Sequence, residues 1–146
     1  MRILLDTNVL VRAAITPTGL ARKLLRFIER NEDHVLIVSA HLLSEVAEVL
    51  RRPRIRERWP VSDEEIEAYC QALGRVGETV SQVPLSPVIR DAKDQAVIEA
   101  AIAGRADIIC TLDAHFSTPP ASEFLERRRI SVLGDVALLA LFDKQE

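Results

Sequence analysis

Two apolar runs in this 146-residue chain end in an acid. Leu4-Leu5 leads into Asp6-Thr7-Asn8, and Ile109-Cys110-Thr111-Leu112 leads into Asp113. If both runs are strands of one parallel sheet, both carboxylates leave it at the carboxyl edge, where α/β folds bind ligands. A lone Asp at such a place commonly starts a turn or caps a helix. A pair at equivalent strand ends weakens that reading. Glu45 stands among Leu42, Leu43 and Val46, on or beside the apolar face of a helix, whereas Glu48 falls on the solvent side. A carboxylate near a core face is costly unless something compensates it, either an arginine such as Arg12 or Arg90 or a bound cation. Asp91 and Asp94 lie at the start of another helix. Asp91 suits an N-cap, and Asp94 either pairs with it in a capping-box-like arrangement or faces the sheet edge.

Carboxylates brought together without counter-cations repel one another and raise each other's pKa values. A divalent cation resolves that conflict. Oxygen-only ligands suit Mg²⁺ or Mn²⁺ rather than Zn²⁺, and such ions favour phosphate chemistry. The other nucleophile systems are poorly supplied: no Ser–His–Asp order is defensible. Cys70 and Cys110 have neither paired spacing nor nearby histidine clusters, so they read as buried reduced thiols rather than a zinc site or disulfide.

The elements that would position these acids alternate. Ile3–Leu5 reads as a strand, and Thr16-Pro17-Thr18-Gly19 breaks the chain soon after. Leu20, Leu24, Phe27 and Ile28 mark an amphipathic helix over 20–30. Val35–Val38 is a second strand, followed by a helix over 40–52 that stops before Pro53. Ser62 and Glu65 form a capping-box pattern opening a helix to about Leu73. Thr79–Val83 reads as a strand, Pro84 and Pro87 bound a loop, and an alanine-rich helix over 94–103 ends at Gly104. Ile108–Thr111 is a buried strand, followed by a short helix near 121–129, a strand at 130–133 and a helix from Asp135. Continuous apolar strands separated by helices predict a three-layer α/β/α sandwich with a mainly parallel central sheet, in one domain over 1–146.

Composition fits that class. Hydrophobic residues make up 48% and charged residues 28%, with a formal net charge of −3. This excludes a bulk polycation that grips nucleic acid by net charge, though not a local basic surface. Apolar stretches fall far short of the roughly 20 residues a membrane helix needs, and Asp6 interrupts the N-terminus too soon for a signal peptide. The expectation is a cytoplasmic protein without a membrane partner.

Leu4-Leu5-Asp6-Thr7-Asn8-Val9-Leu10, Leu42-Leu43-Ser44-Glu45-Val46, Arg90-Asp91-Ala92-Lys93-Asp94 and Cys110-Thr111-Leu112-Asp113 resemble the four motifs of the PIN domain. They occur in order and at family-like spacing over nearly the whole chain, most similar to the VapC toxins of toxin–antitoxin pairs. The resemblance implies that Asp6, Glu45, Asp94 and Asp113 hold Mg²⁺ or Mn²⁺ for RNA hydrolysis. It implies that Asn8 and Thr111 organise the site through hydrogen bonds, with Asp91 in a supporting or capping role. It also implies an antitoxin partner and a homodimer.

Arg51, Arg52, Arg54, Arg56 and Arg58 crowd one segment against a single acid, Glu57. The run is either a solvated face or a positive rim guiding RNA to the acids, with Arg51, Arg52, Arg54 and Arg56 the candidate phosphate-binding residues. Arg127-Arg128-Arg129 is a weaker cluster. Trp59 fits a core edge better than a base-stacking platform; His41 and His115 read as surface or helix-start residues, with a phosphate contact the lesser alternative for His115. With the acids predicting metal-dependent phosphate chemistry, the resemblance implies a metal-dependent ribonuclease toxin. The alternatives are a non-catalytic RNA-binding or scaffold protein of the same fold, or a metal-dependent DNA nuclease or phosphatase.

Overall fold

Short apolar segments that alternate with helices can bury both faces of a strand only if helices cover both sides of the sheet. The computed structural model, which describes residues 1–145, has that arrangement. Strands β1 (Arg2–Leu5), β2 (Val35–Val38), β3 (Glu78–Thr79), β4 (Ile108–Cys110) and β5 (Ser131–Leu133) form one sheet in the order β3-β2-β1-β4-β5. Every pairing is parallel. The period-2 alternation of strand side chains splits the core in two. Ile3, Leu5, Leu36, Val38, Ile108 and Cys110 face one cluster; Leu4, Ile37 and Ile109 face the other.

Helices α1 (Thr7–Ile15), α2 (Leu20–Arg30), α3 (Ala40–Leu50), α5 (Asp63–Val76) and α8 (Asp135–Asp143) contribute buried residues to the first cluster. Helices α6 (Ala92–Ala103) and α7 (Ala121–Arg127) contribute to the second. Helix α4 (Pro53–Arg58) buries none of its residues. The expected α/β/α layering is therefore present, with an entirely parallel sheet.

Local chemistry explains most boundaries. Ser62 and Glu65 form the reciprocal capping box at α5. Helix α6 ends where Ala106 N–H reaches Ala101 C=O and Arg105 N–H reaches Ile102 C=O, a Schellman closure with Arg105 at φ 52°. Gly104 is needed for close approach: a Cβ there would lie 2.6 Å from Ile37 Cγ2.

Two expectations need correction, and two helices were not foreseen. The strand expected over Thr79–Val83 is only Glu78–Thr79. Its partner β2 ends at Val38, where Ser39 caps α3, so after Val80 N–H bonds Val38 C=O no ladder remains. The chain beyond is held by α6 side chains instead, Glu99 accepting Leu85 N–H and Gln95 accepting Val88 N–H. The helix expected to start at residue 94 starts at Ala92, because Asp91 caps it. Pro53 is a restart as well as a stop: it occupies the first turn of α4, where its missing N–H costs nothing. Helix α1 escaped the periodicity because its buried Val9, Leu10 and Val11 are consecutive. Among the described residues no helix is long and apolar enough to cross a membrane.

Candidate active site

The central strands β1 and β4 are neighbours, with Leu5 opposite Cys110. Asp6 N–H continues the ladder to Cys110 C=O at 2.9 Å. Asp6 and Asp113 therefore leave the same sheet edge, as two strand-terminal acids on adjacent parallel strands must.

Asp6 caps α1. Its Oδ1 accepts Thr7 N–H at 2.8 Å, and its Oδ2 accepts the Thr111 hydroxyl at 2.8 Å. The residue is only 7% exposed. Thr111 Oγ1 in turn accepts Asp113 N–H at 3.0 Å, so one hydroxyl joins the two strand-end acids. Helix α3 brings Glu45 in from the neighbouring strand connection, where Glu45 Oε2 accepts the Thr7 hydroxyl at 3.0 Å. The neighbour that Glu45 meets is this hydroxyl; Arg12 and Arg90, the arginines offered as an alternative to a bound cation, are both exposed. Sequence reasoning missed Thr7. Its signal was available, since a hydroxyl directly after a strand-end acid sits on the first helical turn.

Asp94 lies on the first turn of α6. Asp91, the N-cap, is exposed and its Oδ1 accepts Lys93 N–H at 2.8 Å and Asp94 N–H at 3.1 Å. The cap thus engages Asp91 and leaves the half-buried Asp94 carboxylate for the sheet edge. There it meets Asp113 and His115, whose ligand atoms with its own lie within 4.8 Å of one another. His115 Nδ1 is 3.1 Å from Asp94 Oδ2 and 3.3 Å from Asp113 Oδ1.

Burial pushes the Asp6 carboxyl above its ordinary range, and the Asp94 and Glu45 charges push the same way. Hydrogen bonds from Thr111 and Thr7 N–H partly offset this. Burial likewise raises Asp94, helped by Asp113 and Asp91 and opposed by His115. The hydrogen bond to Asp94 and the charge of Asp113 raise the exposed His115 imidazole. Asn8 stands exposed on the first turn of α1, outside the hydrogen bonds that join the acids. Glu48 is exposed, with Lys93 Nζ 4.0 Å away.

The arginine run divides. Arg56 and Arg51 both reach Asp63 Oδ1, the second at 3.5 Å, and together they hold the Asp63 carboxyl below its ordinary range, Arg56 acting most strongly. Arg52 and Arg54 are exposed and make no ion pair among the described residues. Arg58 lies over the half-buried Trp59 ring, 5.2 Å from its centroid.

The family model of the PIN domain matches residues 2–115. The chain belongs to the PIN domain family. Its members are typically nucleases, which supports a hydrolase in general terms. The fold of this PIN domain is shared with the structure of VapBC2 from Rickettsia felis bound to a DNA fragment from their promoter, with a TM-score of 0.59. That alignment covers 92% of this chain and 98% of the other at 15% identity. No curated protein matches the sequence.

PIN domains usually use a divalent metal, and the donor set here suits one. The donors are carboxylate oxygens with one imidazole nitrogen beside them. The charges that push on Asp6 are the carboxylates of Asp94 and Glu45, and His115 opposes the acids around Asp94. A divalent cation would lower both raised carboxyls, which is the condition for binding one.

Proposed function

We propose that this PIN domain is an Mg²⁺- or Mn²⁺-dependent ribonuclease and the toxin of a toxin–antitoxin pair. The observation that supports the reading is the set of donor atoms of Asp94, Asp113 and His115 within 4.8 Å of one another, with Asp6 tied to Asp113 through Thr111, Glu45 bound by the Thr7 hydroxyl, and the Asp6 and Asp94 carboxyls both pushed up. Frustrated buried carboxylates are a functional-site signal with a physical cause. When bound, the ion supplies Lewis-acid polarisation of the phosphate and activation of water.

The chain's own groups have separable tasks in this reading. The four carboxylates hold the ion. Thr111 orients Asp6 and favours its ionised form, while Thr7 orients Glu45. Arg52 and Arg54 supply free positive charge for the RNA backbone, and Arg51 and Arg56 add to that rim while also binding Asp63. The antitoxin, a homodimer and a cytoplasmic setting belong to the same proposal.

Cleavage assays on single-stranded RNA, single-stranded DNA and a small phosphodiester test the reading, each with Mn²⁺, with Mg²⁺ and with EDTA. Metal-dependent loss of RNA alone is expected. Equal cleavage of DNA or of the small ester would move the assignment to a DNA nuclease or phosphatase. Binding of RNA without cleavage would favour the scaffold alternative.

A further inference from the structure

One group beside the acids is not an acid. His115 belongs to a 3-10 turn, Ala114–Ser117, whose N-cap is Asp113 itself. Asp113 Oδ1 accepts His115 N–H at 2.8 Å, which fixes where the imidazole starts. From there the ring is directed at two carboxylates on different elements. Nδ1 lies 3.1 Å from Asp94 Oδ2 on α6 and 3.3 Å from Asp113 Oδ1 after β4. The side chain is 65% exposed, so core packing does not hold it there.

We infer that His115 Nδ1 is a nitrogen ligand of the cation held by Asp94 and Asp113, and that it biases this PIN domain toward a transition cation over Mg²⁺. The inference rests on the metal-dependent reading proposed above. Its geometric basis is the spacing of the donors. Adjacent ligands of an octahedral ion with bonds near 2.1 Å stand about 3 Å apart, and both measured separations are close to that edge length. The same spacing lets an Nδ1–H be shared between the two carboxylates. The ring thus has one position that serves both with and without an ion.

The chemistry follows from the donor change. Carboxylate-only sites suit Mg²⁺ and Mn²⁺ alike, whereas imidazole nitrogen suits first-row transition ions. Mg²⁺ is a hard ion that keeps oxygen ligands and parts reluctantly with water. One nitrogen among the carboxylates therefore favours Mn²⁺ or a neighbouring ion without excluding Mg²⁺.

Mn²⁺ is the probe, because it is paramagnetic and its pulsed-EPR spectrum reports directly bonded nitrogen. With Mn²⁺ bound to the parent protein, nitrogen modulation is expected. It should vanish in His115→Ala and in His115→Asn, whose amide offers an oxygen in place of the imidazole. The ratio of Mn²⁺ to Mg²⁺ affinity, by calorimetry, should fall by about tenfold or more in both variants. Bound Mn²⁺ without nitrogen modulation, or an unchanged affinity ratio, overturns the histidine's role and leaves the carboxylate site standing. No Mn²⁺ binding by the parent overturns the metal-dependent reading and this inference with it, whereas binding undiminished in Asp6→Asn overturns the four-acid reading alone and leaves the Asp94, Asp113 and His115 site standing.

Discussion

Thr111 donates its hydroxyl to Asp6 Oδ2 at 2.8 Å across 105 residues of sequence, and Thr111 Oγ1 itself accepts the Asp113 amide. One side chain thereby sets the relative position of two acids on adjacent strands. The bond also favours the ionised form of Asp6 against burial, which pushes that carboxyl up.

Thr111→Val should therefore have two effects. Leaving buried Asp6 Oδ2 without its donor should cost about 1–3 kcal/mol of stability in metal-free protein near neutral pH. The Asp6 carboxyl should rise further, moving the acidic limb of the cleavage rate to higher pH. Urea unfolding and a pH–rate profile measure the two separately. An unmoved acidic limb would show that Asp6 ionisation does not govern the rate.

Asp6→Asn removes charge from a repulsive cluster while keeping size. Without metal it should be folded and at least as stable as the parent. Mn²⁺ should raise its melting temperature less than the parent's, and RNA cleavage should fall by orders of magnitude. Asp113→Asn should behave alike, whereas the exposed Glu48→Gln should retain activity. Parental cleavage by Asp6→Asn, in a preparation cleared of host ribonucleases, would falsify the catalytic assignment.

Thr7→Val deletes the hydroxyl held by Glu45 but keeps the Thr7 amide that binds Asp6. Activity should drop well beyond any change in melting temperature, because a mispositioned ligand harms the site more than the fold. Mn²⁺ titration should show weaker binding. Full activity with normal Mn²⁺ affinity would mean that Glu45 needs no positioning partner.

For the basic segment, Arg52→Ala with Arg54→Ala should weaken RNA binding and reduce its salt slope by about 0.7 for each single-strand phosphate no longer neutralised. Arg51→Ala with Arg56→Ala should reduce it less, since Asp63 already neutralises part of their charge. The melting temperature should scarcely change for the first pair. An unaltered salt slope in both double variants would make the run a solvated face only.

His34 gives the fold a pH dependence away from the acids. Its ring packs against Phe142 and Phe27, with centroids 5.1 and 5.7 Å away, and the N-terminal ammonium lies 3.1 Å from Nδ1. Burial, then that ammonium, push its pKa below the ordinary 6.5. The unfolded chain accepts this proton at a higher pH than the folded chain, so stability falls as pH drops from 6.5 through the depressed folded value. The contribution is complete above that window. His34→Phe should flatten the parent's loss of stability there in metal-free urea unfolding, and an identical slope in both proteins would assign the dependence to other groups.

Much of this architecture was legible in sequence because it rests on local causes. The buried strands announced themselves as Ile3–Leu5, Val35–Val38 and Ile108–Cys110, and the caps at Ser62 and Asp91 as short-range hydrogen-bond patterns. Parallel order then followed from helices lying between the strands. The position of Asp6 and Asp113 at one edge was legible for the same reason, since strand direction alone decides which end carries the acid. Glu45 could be placed beside the apolar face by its 3.6-residue spacing.

Other features depended on partners distant in the chain. The edge strand shortened because β2 ran out of backbone to pair with, which nothing in Thr79–Val83 reveals. Thr7 was chosen over Arg12 or Arg90 for Glu45 by the packing of α1 against α3. Arg51 and Arg56 were drawn to Asp63 by the turn from α4 into α5, while His115 met Asp94 only when α6 and the end of β4 came together. Residue type and period act over one helical turn or one strand, so the sequence alone determined the layers and the edge that bears the acids. Hydrogen bonds and ion pairs need atoms within about 3–4 Å, and only the tertiary structure decided which side chains came that close.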